Sequence, residues 1–99
     1  TLDRSSAASD VYKRQVWNQE TARRFGAELR AMRQAHDLSQ EKFAYMAGIT
    51  KNQVQLLEAG RGSGAVDNDR PANPTMTTIS GIAAAFEMTV GEFFVAIKM

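Results

Sequence analysis

The side chains available for chemistry in this chain exclude most catalytic arrangements. The sequence has no cysteine, and His36 is its only histidine. Thiol catalysis, disulfides and cysteine-bound zinc are therefore excluded, and any Ser-His-Asp triad would have to use His36. No pair of carboxylates, no nucleophile beside a base and no phosphate-binding loop stands out. We therefore expect that the chain is not an enzyme and that it needs no metal and no cofactor.

A polar run after Thr50 offers hydrogen-bonding chemistry instead. Asn52 and Gln55 carry amides that can pair with both the donor and the acceptor of an adenine edge, and Lys51 can donate to guanine acceptors or to a phosphate. These three side chains are expected on the outer side of a helix because Val54 and the residues in register with it point inward. Without further information, the run is equally typical of a solvated polar helix face.

The remaining members of this run have competing roles. Thr50 and Gln53 have the spacing of a capping box, in which the glutamine turns back towards the Thr50 N–H. Gln53 is therefore less free than Asn52 to reach a base. Leu56 falls outside the buried stripe, so it either contacts a thymine methyl group or packs against the loop that follows.

Two more side chains are singled out by their place at helix ends. Gln40 follows the predicted cap Ser39, where its amide could donate to a phosphate or brace the next helix. Glu58 lies near the carboxyl-terminal end of its helix, where the dipole is unfavourable for an anion. We expect Arg33 to compensate it in an ion pair, the alternative being two solvated charges.

Five segments with helical periodicity must position these residues, and no segment has the pattern of a strand. The first two predicted helices span 18–35 and 40–47, the latter closed by Gly48. Thr50 caps a third segment that runs to Ala59 and Gly60. After Pro74, two further helices begin at the caps Thr75 and Thr89, the second with a Thr89–Glu92 capping box.

The ends of the chain and one internal stretch lack such periodicity. Residues 1–17 are predicted as a disordered or non-native lead-in, the alternative being a basic arm that touches DNA, and residues 18–99 as the folded domain. The segment 61–73 is predicted as a long loop. No apolar run reaches the roughly 18 residues of a membrane span, and no secretory signal is evident, so a cytoplasmic location without membrane contact is expected. The net charge of +1 carries little information.

Two stretches carry the pattern of a known family: FGAELRAMRQAHDLSQEKFAYMAGITKNQVQLLEAGRG and PTMTTISGIAAAFEMTVGEFF. They resemble the lambda-repressor-like (Cro/C1-type, XRE) family of DNA-binding domains from about Phe25 to Phe94, with only the loop interrupting the match. The matching elements are Leu29, Arg30, Arg33, Leu38, Ser39, Gln40, Ala44, Gly48, Val54, Leu57, Glu58 and Gly60. Asp37 and Glu87 depart from the pattern, because each stands where the family more often has glycine, and some backbone strain is expected at Glu87.

This resemblance implies an all-α, five-helix domain whose helix-turn-helix contacts double-stranded DNA. The start of the third helix would contact base edges through Thr50, Lys51, Asn52, Gln53, Gln55 and Leu56. Gln40 and Arg61 would lie where the DNA backbone passes. The function implied is a repressor-type transcriptional regulator. Open alternatives are an antitoxin-type autoregulator with a toxin partner, and an interaction or assembly module of the same fold that does not contact DNA.

The last predicted helix carries more large apolar residues than one buried stripe needs. These are Phe93, Phe94, Val95, Ile97 and Met99. Either Phe94 fills the core, or this end of the domain meets a second subunit. Similar repressors often dimerise through this helix, so the resemblance favours a homodimer on a near-palindromic operator.

Overall fold

The computed structural model describes residues 17–62 and 71–99, and these contain five α-helices. The helices span Gln19–Ala35 (α1), Gln40–Ala47 (α2), Lys51–Ala59 (α3), Met76–Ala85 (α4) and Val90–Ala96 (α5). An isolated antiparallel bridge between Arg61 and Pro71 is the only β pairing within the described ranges. The all-α, five-helix architecture predicted from the sequence is confirmed.

A side-chain cap starts each of these helices. The capping residues are Asn18, Ser39, Thr50, Thr75 and Thr89, and each accepts a hydrogen bond from the backbone N–H three positions further on. Such a bond satisfies one of the donors that have no partner within the helix. Both predicted capping boxes are present, Thr50 with Gln53 and Thr89 with Glu92.

Each helix also ends in the same way, with a residue in the left-handed conformation. These residues are Asp37, Gly48, Gly60, Glu87 and Lys98, with φ between 58° and 75°. The next N–H then bonds back to a carbonyl five positions earlier, as in Leu38 to Arg33 at 3.1 Å and Met88 to Ala83 at 2.9 Å. This is the Schellman pattern, which favours glycine. Asp37 and Glu87, which stand where the family pattern more often has glycine, thus adopt the left-handed conformation.

The core is a row of aromatic rings that crosses the domain. Phe43 of α2 stacks on Phe86 at 5.1 Å between centroids, and Phe86 lies 6.3 Å from Phe93 of α5. Phe93 in turn meets Phe25 of α1 edge-on at 6.1 Å. Aliphatic side chains from all five helices surround this row, including fully buried Leu29, Val54 and Ile82. The core therefore ties every helix to its neighbours.

Trp17 extends this row beyond the predicted start of the domain. Its ring packs edge-on against Phe25 at 5.7 Å, and its indole N–H donates to the carbonyl oxygen of Ala72. The folded domain therefore includes Trp17, one residue before the predicted boundary. The rest of the predicted lead-in, residues 1–16, lies outside the described residues, as do residues 63–70 of the predicted loop.

Gly26 allows α1 to lie close against the end of α3. A Cβ atom at position 26 would lie 2.3 Å from the carbonyl oxygen of Leu57 and 2.6 Å from that of Glu58. Any side chain there would push the two helices apart, because both contacts are with backbone. Glycine at this position therefore sets the distance between α1 and α3.

No single helix in the described ranges is long and apolar enough to cross a membrane. Among the described helices, one consecutive pair, α4 and α5, has the length and composition of a span when taken together, and it is bent by 76° at its junction.

Candidate nucleic-acid interface

The turn between α2 and α3 holds these helices in a fixed relation. Gly48 adopts the left-handed conformation with φ 75°, and the Ile49 N–H donates to the Ala44 carbonyl at 3.0 Å. Ile49 is half-buried against the core, and Thr50 then caps α3. Helix α2 packs against both α3 and α4. The geometry is that of a helix-turn-helix, in which one helix supports the next.

One side of α3 is buried and the other is open. Val54 is fully buried and Leu57 nearly so, which fixes the inner side of the helix. The predicted base-contacting residues Lys51, Asn52 and Gln55 are all exposed. The start of α3 therefore presents two amides and an ammonium group to solvent, groups that can donate to base edges or phosphates.

The capping box limits what Thr50 and Gln53 can do. The Thr50 hydroxyl accepts from the Gln53 N–H at 3.1 Å, and the Gln53 side-chain oxygen accepts from the Thr50 N–H at 2.9 Å. The acceptor of the Gln53 amide is thus committed to the helix start. Its NH2 group remains for a partner, and its lower rank than Asn52 as a base contact stays a prediction.

Leu56 lies half-buried beside the two ends of the long loop. It lines a hollow of about 170 Å³ together with Leu57, Ala72, Pro74 and Thr78, among others. Leu56 therefore lies next to the ends of the loop, and both roles left open by the sequence stay predictions. Arg61 follows directly after α3 with intermediate exposure, and its backbone pairs with Pro71.

Arg33 and Glu58 form the ion pair that the sequence predicts between α1 and α3. The Arg33 Nε donates to Glu58 Oε2 at 2.6 Å, and Nη2 donates to Oε1 at 3.1 Å. The third nitrogen, Nη1, donates to the Leu38 carbonyl at 2.7 Å. The two side chains are only 9% and 5% exposed. Two parallel hydrogen bonds fix the orientation of the Arg33 guanidinium relative to the Glu58 carboxylate as well as the distance between them.

Gln40 joins this pair from α2. Its Nε2 donates to Glu58 Oε1 at 3.1 Å, and the side chain is half-buried. Of its two predicted roles, bracing α3 is therefore present in the structure. An amide nitrogen carries two hydrogens, so the second remains available for another acceptor.

Arg30 is a residue of this region to which the sequence assigned no contact. It is exposed on α1, one turn before Arg33, and lines a cleft with Gln40 and Gln55. Its spacing of three from Arg33 places both arginines on neighbouring positions of one helix face, a signal already present in the sequence.

The apolar residues of α5 divide between core and surface. Phe93 and Ile97 are fully buried, and Phe94 is half-buried against the core. Val95 is 79% exposed and Met99 is 42% exposed. Of the two alternatives for Phe94, packing on the core is present, and contact with a second subunit stays a prediction. We call Phe94, Val95 and Met99 the α5 patch.

The capped turn between α2 and α3, braced by α1 and α4, defines a helix-turn-helix domain. Residues 24–67 match the family described as "Helix-turn-helix domain". This part of the chain is therefore similar to helix-turn-helix domains. No curated protein matches the sequence.

A solved structure with a similar fold is the clp gene regulator ClgR from Corynebacterium glutamicum. The match has a TM-score of 0.60 and 16% sequence identity, and it covers 78% of this chain and 71% of that chain. At this identity the likeness shows a shared fold.

Proposed function

We propose that this protein is a DNA-binding transcriptional regulator whose α3 enters the major groove. The observation that carries the proposal is the exposed face formed by Lys51, Asn52 and Gln55. The Arg33–Glu58 pair fixes α3 to α1, so the helix that carries these polar side chains is held in place. Contacts with base edges need such positioning because hydrogen bonds fail over small displacements.

The regulator acts as a repressor of the lambda-repressor-like type by occupying an operator as a homodimer. The α5 patch supports dimer formation, because Val95 on the last helix and Met99 just after it expose apolar surface. Two-fold symmetry would then place two α3 helices on half-sites roughly 34 Å apart. The operator would be nearly palindromic, since each half-site meets the same residues.

Selection of bound sequences from a random DNA pool, followed by titration on the selected and a scrambled duplex, tests the proposal. Asn52→Ala should cost about 1 to 3 kcal/mol on the selected duplex and little on the scrambled one. Gln34→Ala is the matched control, because Gln34 is an exposed amide on α1 and outside the α3 face. It should leave both affinities unchanged.

Two outcomes would count against this function. If Asn52→Ala left the ratio of the two affinities unchanged, Asn52 would not contact bases. If the parent protein bound neither duplex at low salt, an interaction or assembly module would become the better description.

A further inference from the structure

A cleft opens where the later turns of α1, the start of α2 and the end of α3 converge. Its volume is about 500 Å³, and its lining residues are Arg30, Arg33, Gln40, Gln55, Glu58 and Ala59. Gln55 belongs both to this cleft and to the exposed face of α3. The cleft therefore lies directly beside the face proposed to contact bases.

The charges in this cleft do not cancel. Glu58 is paired with Arg33 by two hydrogen bonds, so these two charges neutralise each other. Arg30 is exposed, and its side chain has neither a hydrogen bond nor an ion pair within residues 17–62 and 71–99. One positive charge therefore remains for an anion. A guanidinium group suits phosphate because its N–H donors match two oxygens at once.

The neutral residues of the cleft add donors of the same kind. Gln40 spends one of its two amide hydrogens on Glu58, and Gln55 has an exposed amide. Three side chains from three helices can thus donate into one space. The acceptor there, Glu58, is already bonded by Arg33 and Gln40, so its repulsion of an anion is reduced.

We propose that this cleft holds one phosphate of the DNA backbone, with Arg30 as its charged ligand. The assignment rests on the proposed function, because a helix lying in the major groove has a phosphate backbone on either side. It gives α1 a direct contact with DNA. It also places the phosphate beside the Gln40–Glu58 bond, which links α2 to α3.

The first test is Arg30→Gln, which removes the charge and keeps a polar side chain. Affinity should fall roughly tenfold on the selected and scrambled duplexes alike. This is the lower end of the loss expected when a hydrogen bond to a charged group is removed. The slope of log affinity against log salt should become shallower by about one, because one phosphate contact is lost. Arg30→Lys should keep the slope. Arg30 is exposed, so thermal melting should be unchanged in both variants.

Arg24→Gln is the matched control. It removes the same charge from the same helix, but the Arg24 guanidinium donates to the Lys98 carbonyl at 2.6 Å rather than lining the cleft. Its slope should therefore change much less than that of Arg30→Gln. If the two variants changed the salt slope equally, the site would be overturned. Arg30 would then contribute only to the overall charge of the protein.

The sharper test replaces single phosphates of the selected duplex by neutral methylphosphonates. At one position in each half-site, the neutral linkage should lower the affinity of the parent protein. The same linkage should leave the affinity of the Arg30→Gln variant unchanged. If Arg30→Gln lowered affinity equally on duplexes carrying the neutral linkage at each of the tested positions, the site would be overturned. A loss of affinity confined to the selected duplex, and absent on the scrambled one, would also overturn it. In both cases the specific loss caused by Asn52→Ala would still support the proposed function. A parent protein that bound no duplex would overturn both proposals.

Discussion

Glu58 shows how one side chain can support a whole interface. Its carboxylate stands at the carboxyl-terminal end of α3, where the helix dipole disfavours it, yet it is nearly buried. Three donors compensate it: two nitrogens of Arg33 and the amide of Gln40. Because these donors come from α1 and α2, Glu58 connects three helices near the carboxyl-terminal end of α3.

Arg33→Met should therefore lower the free energy of unfolding by about 3 kcal/mol, because it leaves the buried Glu58 carboxylate with Gln40 alone. Gln40→Ala should cost only about 1 kcal/mol, since Arg33 remains in place. Urea denaturation of Arg33→Met, Glu58→Leu and the double variant measures the coupling. The double variant should lose much less than the sum of the two single losses. Additive losses would show that the pair does not stabilise the fold.

The same helix ending occurs five times in residues 17–62 and 71–99, and only two of these five left-handed positions hold glycine. Asp37, Glu87 and Lys98 adopt φ between 58° and 63°. The left-handed conformation costs a residue with a Cβ atom about 1 to 2 kcal/mol. The cost is lowest for aspartate, because its short side chain can form a local hydrogen bond. The surrounding packing must offset that cost, most of all at Glu87.

Glu87→Gly should raise the free energy of unfolding by about 1 kcal/mol, because glycine adopts this backbone conformation without strain. The control replaces a glycine by a residue with a Cβ atom at another left-handed position. Gly48→Ala should lower it by a similar amount, and a Cβ at position 48 would have no neighbour within 4 Å, so no steric clash would contribute. Chemical denaturation of both variants measures the two effects. A destabilised Glu87→Gly variant would mean that the glutamate stabilises the turn in another way.

At the scale of the whole molecule, the buried and exposed parts of α5 have different roles. Phe93 belongs to the aromatic row that runs through the core, and Ile97 is fully buried. Val95 lies on the opposite side, 79% exposed. A substitution at Phe94 would disturb core packing as well as the α5 patch. Val95 is therefore the cleaner position at which to test association.

Val95→Glu should weaken both self-association and operator binding without changing the melting temperature, because two copies would bring like charges together at the patch. Sedimentation equilibrium of parent and variant measures association. Tyr45→Glu is the control for association, since Tyr45 is 84% exposed on α2, outside the α5 patch. A parent protein that stays monomeric at high micromolar concentration, with and without DNA, would contradict the proposed homodimer.

The sequence by itself determined the features that depend on near neighbours along the chain. Helix starts follow from Ser and Thr caps that bond three positions ahead, and helix ends follow from bonds that reach back five positions. The inward stripe of Val54 and Leu57 fixes which side of α3 is open. The Arg33–Glu58 pair was also predictable, because the helix dipole requires a cation near Glu58.

Only the tertiary structure decided the features whose partners are distant in sequence. Gln40 could serve a phosphate or a helix until Glu58, 18 positions away, was seen to accept its hydrogen bond. Trp17 belongs to the domain because the carbonyl of Ala72, 55 positions away, lies within reach of its indole N–H. Periodicity and capping describe contacts within one or two turns, whereas these bonds depend on how five helices pack together.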